Sequence, residues 1–77
     1  MERGDTSLAE TVAEEAVALS PFREAGYRRL MRVHQRAANR GEALRVFERC
    51  RKLLAEELGV DPSLETEAVY LEILGRT

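Results

Sequence analysis

The feature that most constrains the fold is the segment from Gly41 to Gly59, in which apolar residues recur at helical spacing between two glycines. Its small Ala43 stands one turn before the aromatic Phe47, a pair that lets a neighbouring helix approach closely and then pack. The same apolar stripe continues through Cys50, Leu54 and Leu58. This pattern predicts an amphipathic α-helix against which the other elements of the chain must pack.

The length and composition of the chain favour one small domain made of helices. The 77 residues are rich in Ala, Leu, Glu and Arg, and the sequence lacks the apolar–polar alternation that marks a strand. Apolar runs are too short for a membrane span, and the N-terminus has no signal-peptide core. The single cysteine, Cys50, lies on the apolar stripe, which suits a reducing compartment. We therefore predict an all-α cytoplasmic protein.

Cap and proline signals predict where the first two helices begin. The run Ser7–Glu10 fits a capping box, so the first helix is expected over Ser7–Leu19, after a disordered segment 1–6. Ser20 is a good N-cap, and the proline after it suits the first position of a helix. The second helix is therefore expected over Pro21–Asn39.

Turn residues predict the other two helices. The link Asn39–Glu42 contains the Asn and Gly that favour a left-handed C-cap, and its shortness implies an antiparallel hairpin of the second and third helices. Gly59 ends the third helix, and the fourth is expected over Ser63–Leu74, with residues 75–77 frayed. The side chains expected to face inward on this last helix are Leu64, Ala68, Leu71 and either Ile73 or Leu74.

A shift of 34 residues places the first predicted helix on the third and indicates an internal repeat. Apolar residues then coincide, namely Ala9 with Ala43, Val12 with Val46, Ala13 with Phe47, Ala16 with Cys50 and Leu19 with Leu53. This offset is the period of the tetratricopeptide repeat, a helical hairpin that stacks into a solenoid. The predicted fold class is therefore all-α, with four antiparallel helices over residues 7–74 in a tetratricopeptide-like array of helical hairpins.

Large and small residues also resemble the tetratricopeptide pattern. Tyr27 and Leu30 stand at its large first-helix positions, and Ala43 and Phe47 at the alanine and aromatic positions of its second helix. Leu64 stands at the leucine position of a further repeat. The residues that depart from the pattern are Met31, His34, Cys50 and Ala55. The first predicted helix then lacks its own hairpin partner, so we expect its apolar stripe to be partly exposed.

A more specific resemblance lies in Leu53–Ser63, which reads LLAEELGVDPS and is followed by Glu65, Thr66 and Tyr70. The other matching runs are Ser20–Glu24, Tyr27–Arg32 and Gly41–Cys50. Together they resemble the C-terminal part of the bacterial transcriptional activation domain of Streptomyces antibiotic regulatory protein-type regulators. The resemblance implies an all-helical, tetratricopeptide-like module that follows a winged-helix DNA-binding domain, supports dimerisation and activation, and does not itself read bases.

Positive charge is concentrated in the middle of the chain. Ten of the twelve Lys and Arg residues lie between Arg23 and Lys52, whereas the whole chain has a net charge of −2. A row of Arg28, Arg32, Arg36 and Arg40 lies opposite the predicted apolar face of the second helix. We expect the row to face solvent, an acidic protein partner or, as the less favoured alternative, a phosphate backbone. The acidic chain and the lack of a helix-turn-helix pattern argue against DNA contact.

No residue pattern indicates catalysis, a metal site or a cofactor site. One histidine, His34, and one cysteine are too few for a zinc site, which needs three or four ligands. The adjacent pairs Glu14–Glu15 and Glu56–Glu57 diverge by about 100° on a helix and cannot form a paired acid and base. The glycines fit helix caps rather than a phosphate loop. We predict a protein that is not an enzyme and binds no cofactor or metal.

The predicted function is a protein–protein interaction or dimerisation module of a bacterial transcriptional regulator. The alternative is a generic tetratricopeptide-like scaffold that binds a peptide or partner protein and is unrelated to transcription. DNA binding is expected from another domain of the parent protein, and no membrane contact is expected. Partner contact or self-association is assigned to Leu8, Val12, Arg28, Arg32 and Arg36. The predicted core comprises Leu30, Ala43, Phe47, Leu54 and Leu58.

Overall fold

Four α-helices make up the computed structural model, which describes the backbone of residues 3–75 and the side chains of residues 7–75. They are α1 (Arg3–Leu19), α2 (Glu24–Arg36), α3 (Arg40–Leu58) and α4 (Leu64–Leu74). No strand occurs within the described backbone, so the prediction of an all-α fold is confirmed. None of these four helices is long and apolar enough to cross a membrane.

The first helix, α1, begins at Arg3 rather than at the predicted Ser7, so residues 3–6, expected to be disordered, are helical. Ser7 lies within the helix, where its carbonyl oxygen accepts a hydrogen bond from Thr11 Oγ1 at 3.0 Å. The predicted capping box is therefore wrong, because a serine is tolerated inside a helix when its neighbours extend the helix. The predictions for residues 1, 2, 76 and 77 fall outside the described residues.

The second helix, α2, begins at Glu24 rather than at the predicted Pro21, because the preceding residues form a turn. The Arg23 amide donates to the Ser20 carbonyl oxygen at 3.0 Å and closes this turn. The Pro21 carbonyl oxygen accepts a hydrogen bond from the Tyr27 hydroxyl at 2.8 Å. A side chain of α2 thus holds the turn in place, and Arg23 rather than Ser20 occupies the N-cap position.

Between α2 and α3 the chain reverses its direction at Ala38, whose φ of 59° is left-handed. α2 ends at Arg36, before the predicted Asn39, and the Asn39 amide donates to the His34 carbonyl oxygen at 2.8 Å. The sequence favours Asn39 or Gly41 for the left-handed position, and this expectation is wrong. Asn39 is the N-cap of α3 and Gly41 lies within that helix, so the preceding alanine takes the strained conformation.

The predicted end of α3 and start of α4 are confirmed. Gly59 has a left-handed φ of 68°, and its amide donates to a carbonyl oxygen in the last turn of α3 at 3.1 Å. Ser63 caps α4, since its Oγ accepts a hydrogen bond from the Thr66 amide at 3.3 Å. Gly75, expected to fray, instead caps the C-terminus of α4 with a φ of 84°.

The helix α2 lies at the centre of the fold, in contact with the three other helices. α4 packs against both α2 and α3, whereas α1 packs mainly against α2. Gly26 lies at the contact between α1 and α2, where a Cβ would sit 3.5 Å from Val17 Cγ2, an ordinary van der Waals distance. The order of contacts fits an array in which α2 and α3 form one hairpin and α1 and α4 belong to neighbouring hairpins.

The core lies where α3 meets α2 and α4. The residues predicted for the core and found buried are Leu30, Ala43, Phe47 and Leu54. The Phe47 ring stacks on the Tyr70 ring of α4, with centroids 4.0 Å apart. Leu58, also predicted for the core, is 56% exposed. That prediction is wrong because Leu58 lies in the last turn of α3, where the chain turns away at Gly59.

Candidate interaction surfaces

A polar junction around the buried Thr66 joins the start of α4 to α2. Thr66 is fully buried, and its Oγ1 donates to Glu24 Oε1 at 2.6 Å. The same carboxylate oxygen accepts a hydrogen bond from the Ser63 amide at 2.9 Å. Arg28 Nη1 donates to Thr66 Oγ1 at 2.9 Å. Donors and acceptors of the junction therefore satisfy one another, as buried polar groups require.

The junction favours the ionised form of Glu24. Burial alone raises the pKa of the Glu24 carboxyl. Hydrogen bonds from Thr66 and Ser63, together with the positive charge of Arg28, outweigh burial, so the pKa of Glu24 lies below its ordinary value. The negatively charged carboxylate is thus the form that holds the start of α4 against α2.

The arginine row of α2 faces α4, so the prediction that it lies opposite the packed surface is wrong for Arg28 and Arg32. Arg28 Nη2 lies 3.9 Å from the Glu65 carboxylate. Arg32 Nη1 lies 2.7 Å from the Glu72 carboxylate. The periodicity of α2 does not reveal where α4 packs, and α4 covers the side on which these two arginines lie.

The other two arginines of the row differ from each other. Arg40 belongs to α3 and donates to the Leu74 carbonyl oxygen at 2.9 Å, at the end of α4. Arg36 is exposed beside a groove of about 380 Å³. The lining residues of this basic groove are Arg28, Arg29, Arg32, Val33, Arg36 and Val69. Because Arg29 and Arg36 are the exposed arginines of this groove, they are the ones accessible to an acidic partner.

One side of α1 exposes three apolar side chains beside the exposed Glu15. Leu8 and Val12 are 64% and 53% exposed, and Leu19 extends the same side because spacings of four and seven residues keep side chains on one helical face. These three residues are termed the α1 stripe. Ala13 and Val17, on another side of the helix, are buried. The expected exposure of the stripe is confirmed, and its role in partner contact stays a prediction.

Repeat-related positions of α1 and α3 have different environments. Ala43 and Val46 of α3 are buried, whereas their counterparts Ala9 and Val12 of α1 are exposed. The difference arises because α2 and α4 both pack against α3, while α1 packs mainly against α2. The α1 stripe is therefore a face that a further helix of the array would cover.

A groove of about 310 Å³ lies beside the α1 stripe, between the end of α1 and the start of α2. Its lining residues are Ala16, Leu19, Ser20, Arg23, Ala25, Gly26 and Arg29. Small residues leave room for close packing, and the two exposed arginines provide positive charge. This α1–α2 groove therefore suits an apolar helix that carries acidic residues.

The last helix, α4, presents a second exposed apolar face. Leu64 is 84% exposed and Leu71 is 42% exposed, with Ala68 exposed between them. These three residues are termed the α4 outer face. The prediction that they face inward is wrong, although the suggested burial of Ile73 is correct. The residues that α4 buries are Thr66, Val69 and Ile73.

The single histidine and the single cysteine are both packed in the interior. His34 and Cys50 are buried, as expected for residues on apolar helix faces. Burial, helped by the negative charge of Glu24, raises the pKa of the Cys50 thiol to about 11, so little thiolate forms at neutral pH. Within residues 7–75, no three His, Cys, Asp or Glu side chains are grouped so as to hold a metal ion.

The structure does not bring the five residues assigned to partner contact onto one surface. Leu8 and Val12 lie on the α1 stripe, whereas the three arginines line the basic groove beside α4. The sequence reasoning missed Glu24 and Thr66, which join α2 to α4. A signal for Thr66 was present, because its spacing to Val69 and Ile73 is that of one helical face.

The described residues form a small all-α domain of four helices, whose order of contacts fits an array of hairpins. The model of the family described as bacterial transcriptional activator domain matches residues 1–74, and the chain belongs to this family. The resemblance found in the sequence is confirmed, and it places the chain in the context of transcription regulation rather than of a scaffold unrelated to transcription. The family is defined by an activator domain and not by an enzymatic activity.

Two curated relatives are the transcriptional regulatory protein MoaR1 of Mycobacterium bovis (strain BCG / Pasteur 1173P2) and that of Mycobacterium tuberculosis (strain ATCC 25618 / H37Rv). Each is 36% identical over 61 residues, which cover 79% of this chain and 20% of the relative. The chain therefore spans a fifth of the length of these relatives. No solved structure matches the chain significantly.

Proposed function

We propose that the chain is a protein–protein interaction module of a cytoplasmic bacterial transcriptional regulator, with the α1 stripe as its contact surface. The observation that carries the proposal is the exposure of Leu8, Val12 and Leu19 on a helix that buries Ala13 and Val17 against the rest of the fold. Exposed apolar faces of this kind mark contact sites. The transcriptional context is supported by the family and by the MoaR1 relatives. Dimerisation is one form that the contact can take.

The basic groove supports a second contact, with an acidic protein surface. Arg29 and Arg36 are exposed there, and neither is bonded to another side chain within residues 7–75. Arg28 and Arg32 form the wall of the groove while they hold Glu65 and Glu72 of α4. Of the three arginines assigned to partner contact, Arg36 is therefore the one available to bind directly.

Sedimentation velocity of the 77-residue chain tests the α1 stripe. We expect the weight-average mass to rise with concentration up to about 1 mM, since small apolar interfaces associate weakly. Val12→Glu should suppress this rise, because it places a charge inside an apolar contact. Val60→Glu is the matched control, since Val60 is a valine of similar exposure (49%) in the loop before α4. Association that Val12→Glu and Val60→Glu weaken equally contradicts the proposal, and a monomer at every concentration contradicts self-association through the α1 stripe.

Titration of labelled duplex DNA at low salt separates protein contact from DNA contact. We expect no binding with the steep salt dependence that phosphate contacts produce. The control is the double variant Arg29→Ser/Arg36→Ser, which removes the two exposed arginines and spares those that hold α4. Salt-sensitive binding that this double variant abolishes would instead favour a phosphate backbone as the partner of the basic groove.

A further inference from the structure

Two exposed apolar faces lie on the first and last helices of the chain. The α1 stripe belongs to α1, and the α4 outer face to α4. Each helix buries other residues within the chain, namely Ala13 and Val17 on α1 and Val69 and Ile73 on α4. In an array of hairpins, α1 takes the place of a second helix and α4 that of a first helix. The α1 stripe therefore belongs to a second helix that lacks a first helix beside it, and the α4 outer face belongs to a first helix that lacks a second.

The packing of α4 on α2 and α3 shows how this fold accommodates a further helix. Val69 and Ile73 are buried at this contact. At its edge, the acidic Glu72 of α4 lies 2.7 Å from Arg32 of α2. Apolar side chains thus fill the space between the helices, and an ion pair between glutamate and arginine forms at the margin.

The α1–α2 groove offers the same two features. Ala25 and Gly26 leave space between the helices, next to the exposed Leu19 of the α1 stripe. Arg23 and Arg29 line the same groove and are exposed. An incoming helix with an apolar face and an acidic residue would therefore find both partners here.

The α4 outer face combines an apolar surface with an acidic residue. Leu64 and Leu71 supply its apolar surface. Glu67 is exposed and lies on the same side, one turn after Leu64 and one turn before Leu71. α4 carries three glutamates and no basic residue between Leu64 and Leu74. Its charge is thus opposite in sign to that of the arginines in the groove.

We propose that the α4 outer face of one copy packs along the α1 stripe and into the adjoining α1–α2 groove of a second copy, with Glu67 facing Arg29. This inference rests on the proposed function and names the partner of the α1 stripe. The contact joins two different surfaces, so a pair keeps one free groove, on one copy, and one free α4 outer face, on the other. Copies therefore add head to tail, and α4 of one copy becomes the hairpin partner of α1 of the next.

Two single variants block the two sides of this contact. Val12→Glu alters the α1 stripe, and Leu71→Glu alters the α4 outer face. Both residues are exposed, so each variant should keep the circular dichroism spectrum and the urea midpoint of the parent chain. In sedimentation velocity, each variant alone should associate at least about tenfold more weakly than the parent chain.

An equimolar mixture of the two variants is the deciding measurement. The Val12→Glu variant keeps its α4 outer face, and the Leu71→Glu variant keeps its groove, so one intact contact can form between them. The mixture should associate at least about tenfold more tightly than either variant alone and should stop at two chains.

A mixture as weak as its separate components overturns the inference. If Val12→Glu still weakens the parent chain in that case, the proposed function stands and the α1 stripe binds a different surface, such as a second α1 stripe. If Val12→Glu and Val60→Glu behave alike, the proposed function fails as well. A chain that is monomeric throughout overturns the inference and favours a different segment or protein as the occupant.

Charge reversal provides an independent test of the pairing. Arg29→Glu and Glu67→Arg should each weaken self-association several-fold, and a chain with both changes should recover it, because the signs are again opposite across the contact. A double variant that stays as weak as the single variants overturns the assignment of Glu67 to Arg29.

Discussion

The Thr66 hydroxyl donates to the Glu24 carboxylate at 2.6 Å and joins the starts of α4 and α2, which are 42 residues apart in sequence. This bond keeps Thr66 inside the fold. Val69 and Ile73 share its helical face and are buried with it. The residues on the other side of α4, Leu64, Ala68 and Leu71, are consequently exposed. The polar junction thus helps to select which apolar face of α4 is available to a partner.

Replacing Thr66 by valine should destabilise the fold while preserving the shape of the side chain. The substitution leaves Glu24 and Arg28 without their shared hydroxyl, so the free energy of unfolding should fall by about 1–3 kcal/mol. Urea unfolding measures this change. Thr11→Val is the matched control, since the exposed Thr11 hydroxyl bonds only to the Ser7 carbonyl oxygen, and its effect should stay within about 0.5 kcal/mol. Equal effects would show that the junction does not stabilise the fold.

Acid should weaken the same junction. Burial raises the pKa of Glu24, but hydrogen bonds from Thr66 and Ser63 lower it by a larger amount. The folded-state pKa therefore lies below the unfolded value of about 4.3. Stabilisation by the carboxylate is therefore present above that value and is lost as the pH falls through the folded-state pKa. The parent chain should be more stable than Glu24→Gln at neutral pH, and the difference should shrink below about pH 4.

Chemical unfolding of both proteins between about pH 7 and about pH 3 measures this difference. A difference that stays constant across the range would show that the charge of Glu24 does not contribute to stability.

The contrast between Phe47 and Leu58 tests where the core lies. Phe47 is buried against Tyr70, so Phe47→Ala should lower the free energy of unfolding by about 3–5 kcal/mol. Leu58 is exposed at the end of the same helix, and Leu58→Ala should cost less than about 1 kcal/mol. Guanidinium unfolding of the two variants gives both values. A large decrease in the free energy of unfolding for Leu58→Ala would show that Leu58 belongs to the core.

A glycine within α3 and the glycine that caps its end should respond in opposite ways to alanine. Gly59 has a φ of 68°, which disfavours any side chain, so Gly59→Ala should cost about 1–2 kcal/mol. Gly41 lies within the helix, and an added Cβ would meet no described atom within 4 Å. Gly41→Ala should therefore be neutral or stabilise by up to about 1 kcal/mol. Thermal unfolding separates the outcomes, and equal shifts would contradict the role of Gly59 as the cap.

Cys50 should be protected from alkylation in the folded chain. It is fully buried, and burial together with the charge of Glu24 raises the pKa of its thiol to about 11. At mildly alkaline pH, iodoacetamide should modify the folded chain at least about 100-fold more slowly than the urea-unfolded chain, as measured by mass spectrometry. Similar rates in both states would show that Cys50 is accessible in the native fold.

The sequence by itself determined the features that depend on neighbouring residues. The helix end at Gly59 and the cap at Ser63 each act within one turn, so their residue types were sufficient to predict them. The burial of Ala43 and Phe47 was also predictable, because α3 has one main apolar stripe and its helical spacing identifies a single face to be buried. The match to the activator-domain family likewise follows from short local runs such as the one that ends at Ser63.

Only the tertiary structure decided which face of α4 is buried and where the arginines of α2 point. α4 is apolar on two sides, with Leu64 and Leu71 on one and Val69 and Ile73 on the other, so periodicity does not distinguish them. The choice depends on the position of α4 on α2, where the junction centred on Thr66 forms. Contacts between residues far apart in sequence determine that position, and a local sequence pattern does not show which of these contacts form.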